Sequence, residues 1–494
     1  MLPDHDSRLA PGTLPGIRDR GGLALGAAPE KRVVTIPTLT GWAESLDLVR
    51  IGLAGILIVS ISAVHMYLGP LRLIRPSLTL LAAVVLMVVL KPRLVQWSNI
   101  RESWPAMAVL VFFGLSLSST LLGISPGGSF GYLSDRYIKV LIFFFLTVAG
   151  TRTVKDFAMM MWTFVISVGI VVILAFTVLE LNTTSDGLGR LDGGATMFDA
   201  NDIGMIMLMC LPIATMLMLN ARKAGKMLAI AVLIGIPAVI ALTGSRGALI
   251  GLGVTLPVMF FVLSRVNVLV RLGVAGALFV SLYVAAPPGY WKQMETLLNP
   301  SKDYNSSDEY GRMGIAKRGV EYMLQYPVAG VGIANFPRAE GTLSPIARER
   351  LLAGEAVQWI APHNTYVQVG AELGFPGLAV WLVLLWGGSI GLWQLRRQLP
   401  ARWDHETADR RFLREATLFV PVSYVAFAVT SFFLSHAYTP PPYIIIAYHA
   451  SLLVLIRREL RADRAGLKAA VTVPSASPAR PLGRGGLTQG IAAR

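Results

Sequence analysis

Apolar runs recur from about residue 47 to residue 456, many of them long enough to cross a bilayer, and this leaves few folds open. The hydrocarbon core of a bilayer is about 30 Å thick, which takes roughly 20 apolar residues as a helix. Backbone inside it must satisfy its own hydrogen bonds, so an all-α integral membrane protein is expected. Twelve spans are drawn near 47–68, 72–90, 104–123, 133–150, 156–178, 202–220, 227–243, 247–264, 269–287, 364–395, 415–435 and 441–456. Composition agrees: 54% of residues are hydrophobic and 15% charged, where soluble domains carry roughly 25% charged. The single cysteine, Cys210, lies in an apolar run and is read as a packing residue.

The organisation follows from the spans. Residues 1–46 form a polar, Pro- and Gly-containing tail without the basic-then-apolar order of a signal peptide. Nine spans fill 47–287, a long loop takes 288–363, and three more spans fill 364–456. The segment 457–494 is basic and rich in Pro, Ser and Gly, so disorder is expected there. No repeat of solenoid or propeller length appears.

A net charge of +15 invites a nucleic-acid partner, but no basic-aromatic motif or zinc-ligand spacing supports one. The distribution points to a membrane instead. Taking alternate connections from the N-terminal tail onward, one side holds 29 of the 44 Lys and Arg residues. The positive-inside rule then puts both termini in the cytoplasm. Three features fall on the outer face: the connection 179–201, the turn "TGSRG" at 243–247, and the loop 288–363. That loop far exceeds usual helix connections. Its segment Asp308–Pro327 has an apolar period at Ile315, Val320, Tyr322 and Met323, read as an amphipathic helix lying on the membrane.

Candidate chemistry gathers on this outer face. Ser245 suits an N-cap and places Arg246 at a helix start, where dipole and guanidinium both favour an anion such as phosphate. The alternative is an interfacial arginine that snorkels. Arg190 lies in a Gly-rich connection near Asp186, Asp192, Asp199 and Asp202, whose spacing fits neither a calcium loop nor a DxD pair. No metal site and no cofactor are expected. Asn201 is read as an N-cap. Arg312, Lys317 and Arg318 form a cluster suited to anionic lipid or to substrate. Gly330 and Gly332 allow close backbone approach.

In "APHNTYVQVGAELG" (361–374), a helix starting near Asn364 aligns Asn364, Gln368 and Glu372 on one face. Such a polar stripe at the bilayer edge should face a cavity. His363 would sit at the positive helix end, which disfavours the imidazolium and leaves a neutral base. Plain capping is the alternative. His436 and Tyr438, in "SHAYTPPPY", are read as part of a Pro-rich turn, with a place in the same cavity as the second option.

Four segments resemble the O-antigen ligase and polymerase superfamily: "RLDGGATMFDANDIG", "LTGSRGALIGL", "GRMGIAKRGVEYMLQYPVAGVGIANF" and "HNTYVQVGAELGFPGLAVWL". The likeness covers about 180–395. It implies a polytopic glycosyltransferase of the GT-C type in a bacterial inner membrane, with its site facing the periplasm. It implies a polyprenyl-diphosphate-linked glycan as donor and inverting, metal-independent transfer to a sugar hydroxyl. The acceptor stays open between lipid A–core, the growing glycan and a protein hydroxyl. Arg190 and Arg246 match the arginines that hold the diphosphate, His363 the proposed base, Arg312 the arginine of the long loop, and Glu372 a recurrent acidic position. Ala200 stands where the family often has Pro. A glycolipid flippase is the competing class, but internal repeats and evenly short loops would be expected of it.

Overall fold

The structure, a computed structural model, describes residues 47–183, 189–192, 199–297 and 311–472. The N-terminal tail, Asp186, residues 298–310 and the end of the C-terminal tail lie outside the described residues. The principal helices are α1 (Leu48–Ser62), α2 (Pro76–Leu90), α3 (Trp104–Leu122), α4 (Pro126–Tyr132), α5 (Ile138–Gly150) and α6 (Val154–Thr177). A hairpin of β1 (Glu180–Thr183) and β2 (Gly189–Asp192) precedes α7 (Ala200–Asn220), α8 (Lys223–Thr243), α9 (Arg246–Val262) and α10 (Val268–Ala285). The long loop contributes α11 (Arg312–Gln325), α12 (Phe336–Thr342) and α13 (Pro345–Leu352). Then come α14 (Thr365–Leu382), α15 (Gly388–Gln398), α16 (Ala408–Thr430) and α17 (Pro440–Thr472).

Seven helices among the described residues are long and apolar enough to cross a membrane: α3, α6, α7, α8, α10, the α14–α15 unit and α16. Helices α1, α2 and α9 are apolar but have 15, 15 and 17 residues, roughly 22–26 Å at 1.5 Å per residue. By this measure seven of the twelve expected spans qualify by length and composition. Burial separates the centre from the rim. The most apolar stretch of α7 is 83% buried and that of α10 only 6%, so α7 runs through the middle and α10 offers its apolar sides outward. Cys210 is buried in α7 and unpaired, in keeping with a packing role.

Caps explain where the helices begin and end. In "TGSRG", Gly244 closes α8 at φ 56°, a left-handed conformation that suits a residue without Cβ. Ser245 follows directly as the N-cap of α9, its Oγ accepting from the Ala248 N–H. Two helices are thus joined by two residues. Helix α7 is capped by Asp199, which accepts from the N–H groups of Asn201 and Asp202 while the Asp202 carboxylate accepts from the Asp199 N–H. Asn201 is therefore not the cap.

The expected span 364–395 is broken. Gly374 has φ 69° and ψ −169°, and Pro376 follows two residues later. Proline has no N–H to donate to the carbonyl four residues back. The Glu372 carbonyl is left open and accepts instead from Ser119 Oγ (2.6 Å) and from the Gly332 N–H (3.2 Å). The Ala371 carbonyl takes the Val331 N–H, and the Phe375 N–H turns to the Pro327 carbonyl. The break ties the outer loop to α14. Gly330, at φ 67°, lies so close that an added Cβ would stand 2.2 Å from the Glu372 carbonyl carbon. Gly330→Ala is therefore expected to destabilise this seam by about 3 kcal/mol or more, through overpacking and left-handed strain together. Faster proteolysis within 311–363 would report it; an unchanged thermal midpoint and cleavage rate would contradict it.

Helix α11 packs one face on the protein. Ile315, Gly319 and Tyr322 are buried, and a Cβ on Gly319 would stand 2.2 Å from Val367 of α14. The buried face is thus spent on the protein, leaving Met313, Val320 and Leu324 outward. Arg318 does not reach for lipid. It is buried with Glu340 of α12, with donor–acceptor distances of 2.6–3.1 Å, and Tyr322 donates to the same carboxylate at 2.9 Å. Breaking a buried pair on one side costs about 3–5 kcal/mol. Glu340→Ala is expected to lower the thermal midpoint by loosening the packing of α11 on α12. A midpoint within about 1 °C of wild type would show the pair to be dispensable.

Candidate active site

The sequence-derived candidates gather at one end of the bundle, in two groups joined by the turn 199–202. The first group is built on Arg190. The connection 179–201, expected as a loop, is in its described part a hairpin in which Arg190 pairs with Asn182 and Leu191 with Leu181. Leu191 is fully buried, which anchors the strand. The Arg190 Nε donates to the Thr243 carbonyl at the C-terminal end of α8 (3.1 Å), where the helix dipole favours a cation. Its terminal nitrogen donates to Asn201 Oδ1 at 3.3 Å. The same Asn201 oxygen accepts from Ser245 Oγ at 2.7 Å. Asn201 therefore joins Arg190, 11 residues before it, to Ser245, 44 residues after it. Next to Ser245, half-buried Arg246 donates to Thr296 Oγ1 at 2.9 Å, tying the start of α9 to the beginning of the long loop.

The second group is built on His363. Asn364 is the N-cap of α14, its Oδ1 accepting from the Tyr366 and Val367 N–H groups at 2.9 and 3.1 Å. His363 immediately before it has φ 45°, the left-handed region that non-glycine residues seldom occupy. The side chain remains accessible, yet protein surrounds it closely enough that desolvation lowers its pKa below 6.5. The Arg312 guanidinium pushes the same way, and Asp199 and Asp202 oppose both. The main causes are therefore burial and Arg312 rather than the helix end that the sequence suggests.

His363 lines a cavity of about 530 Å³ with Tyr132, Arg136, Asp199, Asp202, His436 and Thr439 among its walls. His65 and Ser77 link it to a more apolar cavity of about 390 Å³ rimmed by Arg75 and Lys139. His436 stands on this wall and is more than the Pro-rich turn residue that the sequence suggests. Gln368 and Glu372 do not belong to the lining, and neither do Asn364, Arg190, Arg246 and Arg312. Gln368 Oε1 accepts from the Ala437 N–H and Glu372 Oε1 from the Phe336 N–H, so the polar stripe holds two loops. The expectation that it walls the cavity is corrected on this point. Asp199 and Asp202 face the cavity from within their capping box, and among the described residues no group of three or more His, Cys, Asp or Glu has metal-holding geometry.

The arrangement can bind an anion near the helix starts and accept a proton at His363. Residues 229–382 match the family model described as O-antigen ligase. The match includes Ser245, Arg246, Arg312 and His363–Glu372, and leaves Arg190, Asn201 and His436 outside. Comparison with curated proteins finds no match.

Proposed function

We propose, for a chain whose residues 229–382 carry a domain of the O-antigen ligase and polymerase superfamily, that the outer-end cavity transfers glycan from a polyprenyl-diphosphate donor to a sugar hydroxyl. The family implies a glycosyl-transfer enzyme of the ligase or polymerase type, acting on a lipid-linked glycan and a glycan acceptor. The apolar helices suit an integral membrane protein.

The observation that carries the finer reading is His363, held in a left-handed turn at the cavity with a lowered pKa and Arg312 as its electrostatic neighbour. An imidazole neutral at working pH is a good general base for a sugar hydroxyl. Attack by that hydroxyl on the anomeric carbon breaks the bond to the diphosphate, and inversion follows from a single displacement. Arg190 and Arg246 then balance the negative charge on the departing diphosphate, the task a divalent metal performs elsewhere. Arg312 is assigned to the substrate side of His363. Asn364, Ser245 and Asn201 position these groups, and Gln368 and Glu372 hold the loops around them.

Supporting an outer-face orientation, the connections assigned to the opposite side hold 29 of the 44 Lys and Arg residues. The site itself lies at the end where fewer cationic residues fall. Both termini are assigned to the cytoplasm and the cavity to the periplasm of a bacterial inner membrane.

Ligase and polymerase differ in acceptor. Purified protein supplied with polyprenyl-diphosphate glycan, with and without lipid A–core, separates them. Lengthening of the glycan without lipid A–core identifies a polymerase, and a shift of the lipid A–core alone identifies a ligase. Movement of intact glycolipid across a vesicle with no new glycosidic bond would replace both with a transporter.

A further inference from the structure

We infer that His436 and Asp202 form a positioning bridge that fixes the arginine group of the site against the histidine group. The inference rests on the glycan-transfer reading above and names residues that reading leaves without a role. His436 Nε2 and Asp202 Oδ1 are 2.6 Å apart, joining residues 234 positions distant in sequence. On the other side of the ring, Nδ1 lies 2.6 Å from Thr439 Oγ1. Both nitrogens are engaged, so the ring is held in one orientation on the cavity wall.

The connections continue at each end. The His436 N–H donates to Thr365 Oγ1 at 3.1 Å, and that hydroxyl donates to the Leu434 carbonyl at 2.7 Å. Thr365 is the first residue of α14, two positions after His363. Asp202 belongs to the capping box of α7, and its neighbour Asn201 holds both Arg190 and Ser245. A path of hydrogen bonds therefore runs from the start of α14 through His436 and Asp202 to the residues that place Arg190 and the start of α9.

A diphosphate bound by one group and a hydroxyl activated by the other must meet within reacting distance, and misplacement by 1 Å costs about a hundredfold. The three segments come from separate helix ends: 199–202 begins α7, 363–365 begins α14, and 434–439 links α16 to α17. Each contributes a side chain to the bridge. His436 itself neither accepts the acceptor proton nor contacts the diphosphate in this assignment.

The test compares His436→Ala, His436→Gln and Asp202→Asn in purified, monodisperse protein, with donor turnover measured against donor concentration and pH. Glutamine can donate to the Asp202 carboxylate and accept from Thr439, so it restores the bridge where alanine cannot. The expected result is a fall in kcat of about a hundredfold for His436→Ala with donor KM within about threefold of wild type, and recovery to within about tenfold by His436→Gln. Asp202→Asn should in addition move the acidic limb of the pH profile down. It removes one of the two carboxylates facing His363, while Arg312 still acts on His363 and Arg136, His65 and Tyr132 remain on the cavity wall. Unchanged kcat in His436→Ala overturns the bridge. So does a His436→Gln protein that is folded but as inactive as His436→Ala. Absence of donor turnover in the wild type refutes the glycan-transfer reading instead, and carbethoxylation of His363 then still reports whether its reactivity follows the state of Asp202. An Asp202→Asn protein with the wild-type pH profile of that modification counts against the coupling.

Discussion

His363→Ala is expected to abolish glycan transfer, lowering kcat by about 10²–10⁴-fold, the range that one general base contributes. The protein should remain folded, because His363 precedes the N-cap of α14 and the cap bonds are made by Asn364. The alanine also removes a side chain from the left-handed turn at φ 45° without adding one, so the loss reports chemistry. His363→Gln serves as the second variant, keeping a polar side chain of similar reach that cannot take a proton. The pH dependence follows from the sign of the shift. Burial and Arg312 hold the imidazole pKa below 6.5, so the neutral form already dominates at pH 6.5 and above. Activity is then retained through the neutral range and lost only as pH falls through the lowered pKa. Arg312→Gln removes one cause of the lowering and is expected to move that limb upward. A limb that moves down, or a His363→Gln protein with wild-type kcat, would remove His363 from the mechanism.

The second large effect is expected at the arginines. Arg246→Ala and Arg190→Ala should each reduce kcat by about 10²–10³-fold, comparable with removing one donor from a preorganised anion site. Lysine should rescue poorly at either position, since a point charge does not reproduce the planar fork of a guanidinium. Arg190 is the more informative of the two. Its bonds to the Thr243 carbonyl and to Asn201 fix the guanidinium between α7 and α8, so Asn201→Ala is expected to reproduce part of its loss without removing a charge. Transfer should persist in excess chelator. Full activity of Arg246→Ala in a reconstituted assay, or strict dependence on Mg²⁺ or Mn²⁺, would contradict the assignment.

Local signals in the sequence were the legible ones. Serine after glycine in "TGSRG" announces a helix end followed by a helix start, and Gly244 and Ser245 adopt those roles. Asn364 caps α14 as its position suggests. The break at Gly374 had a signal as well, in the glycine and proline of "GFPG", but apolar periodicity across 364–395 outweighs it in a one-dimensional reading. What the sequence does not display is pairing at long range. Arg318 with Glu340, and His436 with Asp202, depend on which helices the fold brings together. A cluster such as Arg312, Lys317 and Arg318 looks uniform until burial separates its members: Lys317 is exposed, Arg318 buried and Arg312 half-buried. The polar stripe of α14 is hidden from a sequence reading for a related reason. Helical spacing puts Gln368 and Glu372 on one face, while only the surrounding loops decide that this face meets backbone N–H groups.

The most direct measurement is the stoichiometry of transfer by the purified wild-type protein in liposomes, supplied with a labelled polyprenyl-diphosphate glycan and a glycan acceptor. One polyprenyl diphosphate released for each new glycosidic bond, with inverted anomeric configuration and with both products absent for His363→Gln, is the predicted result. Glycosidic bond formation by His363→Gln at the wild-type rate, or product of retained configuration, would contradict a base-assisted single displacement at this cavity.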